Sequence, residues 1–242
     1  DLDTVAAAAR NASRGLRALD TQVAREAIAD GDAAVVAAGL AADDLGQARD
    51  HLVATIDGAR LSFANQQRLA ASADAIGAAV EVTGPWASLA GVVSGAGLVI
   101  DAIMRHDDKV FEATTLARRE RYADALAALD SADSELAGVG ALRDRVAERA
   151  PVPTLDAWMV RAADYDAALR RLYELLDASG GMATVETQAA LAGVRAAQAA
   201  LPAESDAFVI IVTEVAEPGL TDALVAIERA RGTVRDQALT VD

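Results

Sequence analysis

TGPWASLAGVVSGAGLVIDAIM, residues Thr83–Met104, is the stretch on which the reading of the fold turns. No charged side chain occurs from Val82 to Ile100, and Glu81 and Asp101 bracket the run. Its start is legible: Thr83 or Gly84 as N-cap and Pro85 at the first helical position, where a missing N–H costs nothing. A helix that is apolar all round has to be buried in protein or in lipid. The expectation is a buried central helix with the rest of the chain arranged about it.

Within that helix Ala87, Gly91 and Gly95 recur every four residues. A small residue at that spacing lets a neighbouring backbone come close, so the three are expected to form a helix-packing stripe. A membrane-spanning helix carries the same signature, and about 20 residues cross the hydrocarbon. Against insertion, the run is diluted by Gly, Ser, Thr and Ala and lacks a basic flank.

Outward from this stretch the pattern is helical. Val5, Ala9, Ala12, Leu16, Leu19 and Val23 alternate steps of four and three, which puts them on one face of a helix over 4–29. Asp30-Gly31-Asp32 reads as a turn, with Gly31 ending one helix and Asp32 capping the next. Leu45, Ala48, Leu52, Ile56, Ala59 and Phe63 repeat the spacing and predict a bundle seam, with a kink or split at Asp57-Gly58.

C-terminal to the central run, Arg105–Asp108 either continues the helix or breaks it. A following helix is expected to reach Ala137, with Gly138 and Gly140 interrupting. Pro151-Val-Pro153 is the best domain boundary in the sequence. Two parts are therefore expected: 1–150, a long-helix bundle with the central helix, and 151–242, shorter helices packed on it. Helices are predicted over 155–178 (capped by Thr154 and closed by Gly180-Gly181), 184–201, 206–216 and 221–239, with Pro218-Gly219 as a turn. Phe208–Val212 is β-branched, but no partner strand is evident, so it reads as buried helix.

Glu120–Leu129 and Asp164–Leu172 resemble the middle of a tetratricopeptide repeat in their aromatic and following alanine. Tyr122 and Tyr165 do not keep the 34-residue period of that repeat, and no family follows.

Composition agrees with the pattern. About a quarter of the residues are alanine and 3% are aromatic, which describes an all-α protein with close packing. The fold expected is an elongated antiparallel helical bundle of about six to eight helices. The net charge is −15, so nucleic-acid partners are disfavoured. Lys109 is the only lysine among the 22 basic residues, a bias that reads as a high-GC or salt-adapted source. Cysteine is absent, which removes disulfides and thiolate chemistry. A first residue of Asp and an Asn11-Ala12-Ser13 sequon lean the expectation toward an exported, processed chain.

Chemistry-bearing clusters are few. His106, Asp108 and Glu112 are the one metal-ligand candidate set, set against a plain solvated helix cap. His51 has no second ligand nearby, and Asp43-Asp44 reads as surface charge. Gly91–Gly97 lacks the Lys-Ser/Thr of a phosphate loop, and Ser94 lacks the flanking glycines of a nucleophile elbow. No cofactor or catalytic set is indicated. The expectation is a non-enzymatic structural or interaction protein with a protein partner or a homo-oligomer. The alternatives are a membrane-active helical protein exposing 83–104, or a small-ligand carrier or enzyme assembled in three dimensions around Asn65, Gln66, Gln67 and His106.

Overall fold

The computed structural model describes residues 2–55, 61–148, 150–202 and 204–239, with the side chains at 204–206, 218 and 239 excepted. The protein is all-α, 90% helical, with eight helices and no strand among the described residues. They are α1 (Leu2–Arg17), α2 (Thr21–Thr55), α3 (Phe63–Glu81), α4 (Thr83–Ala117), α5 (Tyr122–Ala147), α6 (Pro153–Ala178), α7 (Val185–Ala200) and α8 (Glu204–Leu239). Two compact units result, one of residues 1–94 and 216–242, the other of 95–215. The divisions fall inside α4 and α8, not at Pro151–Pro153. Those prolines start α6, with Pro153 in its first turn. The joint is pinned rather than loose: Thr154 donates through N and Oγ1 to the Glu214 carboxylate at 3.0 and 2.5 Å. Arg143 grips Asp156 with two hydrogen bonds, 2.5 and 2.9 Å.

In the first unit the break after α1 comes at Ala18–Asp20, not at Asp30–Asp32. Leu19 takes a left-handed φ of 57° and Asp20 caps α2, its Oδ1 accepting from Val23 N at 3.0 Å. A non-glycine residue in that conformation costs about 1–2 kcal/mol, so sequence reading places breaks at glycines. The α1 seam is as expected through Val5, Ala9, Ala12 and Leu16, all buried, and Val23 lies beyond it, exposed.

Asp30-Gly31-Asp32 lies within α2 and forms a socket. A Cβ added to Gly31 would overlap the Trp86 indole, and Trp86 Nε1 donates to Asp32 Oδ1 at 2.7 Å. Gly219 does a related job in α8, where the expected turn is continuous helix. A Cβ there would come within 2.6 Å of Val92 Cγ2.

The central helix begins at Thr83, two residues ahead of the expected first helical position at Pro85, with the Val82 carbonyl accepting from Trp86 N at 3.0 Å. Pro85 is thus the third helical residue, still among the N–H positions a helix leaves unpaired. The helix runs through Arg105–Asp108 to Ala117, and the turn after it holds Glu120 at φ 61°.

Burial of α4 is one-sided rather than complete. Val82, Trp86, Leu89, Val93, Ala96, Val99, Ile103, His106, Val110 and Ala113 form its buried seam. The expected packing stripe is not on that seam: Ala87 and Gly91 are exposed, and a Cβ at Gly91 or Gly95 would meet nothing within 4 Å. The large residues take the interior because they gain most from burial, and Gly, Ala and Ser lose little in water. The helical stretch 63–117 is long and apolar enough to cross a membrane by length and composition.

The second unit has a filled core. Val110 and Ala113 of α4, Ala125, Leu129 and Ala132 of α5, Leu169, Leu172 and Tyr173 of α6, and Val194 of α7 meet in one cluster. Gly138 and Gly140 lie inside α5 without breaking it. Gly180 and Gly181 close α6 at φ 63° and 79°, as expected. Thr184 then caps α7 in a reciprocal box with Thr187.

Candidate functional site

Two features depart from a plain helical bundle, one in each unit. In the first unit the second expected seam is exposed where burial was expected, at Leu45, Ala48 and Leu52 of α2 and Phe63 at the start of α3; Ile56, Ala59 and Asp57-Gly58 lie outside the described residues. The buried face of α2 is Ala24, Ala27, Gly31, Ala34, Val35, Ala38 and Ala42. No residue of α3 is buried.

The apolar faces left over surround one space. Ala38, Ala42, Leu45 and Arg49 of α2, Ser72, Ala75, Ile76 and Ala79 of α3, and Arg231, Val234, Arg235 and Ala238 of α8 line a groove of about 740 Å³. Within each set residues recur three and four apart, with Ala75-Ile76 and Val234-Arg235 as adjacent pairs, a spacing that keeps them on one helix face as in a bundle. Ala41, Gln237 and, from α1, Leu2 and Asp3 also line the groove.

The charge of this groove runs against that of the chain, with three arginines and one aspartate. Arg231 bonds to Asp3 and, at 2.6 Å, to Glu228. Arg235 is exposed. The buried Nε of Arg49 has no hydrogen-bond partner among the described residues.

The second unit holds the ionisable cluster. The alternation of threes and fours along α4 carries His106 onto the buried seam, and the seam of α6 carries Trp158 and Asp166 inward with Leu155, Ala162 and Leu169. His106 Nε2 lies 2.8 Å from Asp166 Oδ2, and Nδ1 lies 2.9 Å from Asp107 Oδ1. The Trp158 ring stands edge-on, 5.5 Å between centroids. His106 and Asp166 are both 2% exposed.

A ring with a carboxylate at each nitrogen donates from both. Burial works against its charge, but the hydrogen bonds to Asp107 and Asp166 prevail, and the pKa is pushed up to about 9. Both ring nitrogens are engaged by carboxylates, so His106 turns no free nitrogen toward the cavity. Asp166 Oδ1 has no partner among the described residues.

Beside this pair lies a cavity of about 440 Å³, lined by His106, Asp107, Phe111, Arg118, Trp158, Tyr165, Gln198 and Phe208 among others. Burial first, then the Asp166 charge, raises the Tyr165 phenol above its ordinary range. It stays protonated.

The structure does not gather the metal candidates. Asp108 and Glu112 are exposed on α4 while His106 turns inward, and Glu112 pairs with Lys109 at 2.8 Å. No group of three or more potential ligands is brought together among the described residues. Asn65, Gln66 and Gln67 are exposed in the first turn of α3, where Ser62 Oγ caps Asn65 N. Gly91–Gly97 is α4 helix and Ser94 is exposed on it. Sequence reading found His106 but missed Asp166 and Trp158. The signal was present: Asp166 occupies a buried register of an apolar seam, where a charge needs a partner.

Compared with protein-family models, curated proteins and solved structures, the chain matches none. The class that the geometry defines is an all-α protein with an uncovered apolar groove and a separate aromatic cavity.

Proposed function

We propose that the protein is a non-enzymatic interaction module whose first unit receives an acidic amphipathic helix from a protein partner. The observation that carries this is the groove: three helices turn bundle-spaced seams toward one empty space. Its shape calls for a helix, since side-chain rows at that spacing interdigitate with another helix. Its lining calls for a negative one. Arg49, Arg231 and Arg235 outnumber Asp3 there, although the chain as a whole carries −15. Charges at such a rim set partner choice and association rate.

The test is fluorescence anisotropy of two labelled amphipathic peptides with the same Ala/Leu face, one otherwise Glu-rich and one Lys-rich. The acidic peptide is expected to bind saturably and to weaken as salt rises. Arg49→Glu with Arg235→Glu is expected to weaken it about tenfold or more. Equal binding of both peptides, or of neither, contradicts the proposal. Dimerisation of the chain that the acidic peptide competes away would assign the groove to a second copy instead.

A further inference from the structure

The aromatic side chains of this protein are few and unevenly placed. There are three Phe, three Tyr and two Trp in 242 residues. Four of these eight, Phe111, Trp158, Tyr165 and Phe208, line the single cavity beside His106. Phe111 is 68% exposed, a position that burial does not explain. The volume, about 440 Å³, falls within the range of small-molecule sites.

The charged groups at the cavity are His106, Asp107 and Arg118, with Asp166 against the far nitrogen of the His106 ring. His106 is held between two carboxylates, and the Asp107 oxygen facing it is thereby engaged. Arg118 lines the cavity and forms no ion pair among the described residues. A guanidinium left open at an aromatic wall matches a planar anion: the rings stack on its face and the fork takes its carboxylate with two hydrogen bonds.

We infer that the second unit binds a small aromatic carboxylate, of one or two fused rings, in the cavity between Phe111, Trp158, Tyr165 and Phe208, with Arg118 as its counter-ion. The site is separate from the groove of the first unit and does not depend on the partner proposed for it. Thr114 and Gln198 add two uncharged polar side chains to the lining.

The full chain is titrated by calorimetry with 2-naphthoate, the neutral 2-naphthylmethanol and the cationic 2-naphthylmethylamine. Imidazole NMR signals are followed in parallel. The chain has two histidines, so His51 on α2 serves as an internal control for His106. Naphthoate is expected to bind tightest, about tenfold over the alcohol, with the His106 signals moving and those of His51 still. Arg118→Gln should bring naphthoate down to the alcohol, and Phe111→Ala should weaken both; each side chain is exposed, so neither change should unfold the unit.

Four results would overturn the inference. They are no saturable binding, the amine binding as well as the acid, shifts at His51 alone with loss in Arg49→Gln, or a naphthoate preference that survives Arg118→Gln.

Discussion

The two units solve the same packing problem to different degrees. In the second, seams from α4, α5, α6 and α7 meet, and Leu129 is fully buried among them. In the first, seams of the same spacing on α2, α3 and α8 face a groove of about 740 Å³. Leu45 on its lining remains 61% exposed, and Leu52, further along α2, 45%. Periodicity marks which face of a helix is apolar, and whether a helix arrives to cover that face is decided elsewhere. The uncovered seam is the face that the proposed partner helix would cover.

The sharpest way to break this contrast is to truncate one leucine in each unit. Leu129→Ala should cost about 2–5 kcal/mol in chemical denaturation, because the filled core cannot collapse onto the space left. Leu52→Ala, on the uncovered seam, should stay within about 0.5 kcal/mol. Equal costs would mean that the α2 seam is packed after all.

A second pair separates two glycines. Gly31→Ala drives a methyl group into the Trp86 ring and should cost about 1–3 kcal/mol. Gly95→Ala meets open space and should stabilise by up to about 1 kcal/mol through helix propensity. Destabilisation at Gly95 would restore the small-residue stripe as a packing face.

These pairs also show what was legible in the sequence. The helical class, the start of α4 to within two residues, the Gly180-Gly181 close and the stop at Pro202 all follow from local chemistry. The breaks at Leu19 and Glu120 do not, because left-handed backbone at non-glycine residues is imposed by packing. Gly31 and Gly219 look like turns in sequence because a glycine that admits a neighbour and a glycine that turns the chain are the same letter. His106 stood out as one of two histidines, but Asp166 is 60 residues away and meets it only once α6 is in place.

That pair sharpens the second unit through pH. The folded pKa of His106, about 9, stands above the free value of 6.5, so the folded protein binds the extra proton between them. Its contribution is complete below pH 6.5 and lost as pH rises through about 9. The loss should be roughly 1–3 kcal/mol, read from denaturant midpoints at pH 6.5 and 9.5. His106→Gln should remove that slope, and an unchanged slope would show that the pair is not the source. The smallest effect belongs to the groove: Ala75→Leu should leave stability within about 0.5 kcal/mol while excluding the acidic peptide. Retained peptide binding would place it elsewhere.

The central claim is that the groove between α2, α3 and α8 is open until a helix fills it. The chain contains no cysteine, so a single introduced thiol reports alone. Ser72→Cys sits on the groove lining and Ala132→Cys in the filled core of the second unit. The direct measurement is the rate at which a water-soluble disulfide reagent labels each thiol, with and without the acidic amphipathic peptide. Ser72→Cys is expected to react much faster than Ala132→Cys and to slow when the peptide is bound. A Ser72→Cys thiol as slow as the core thiol in the free protein, or one indifferent to bound peptide, would contradict it.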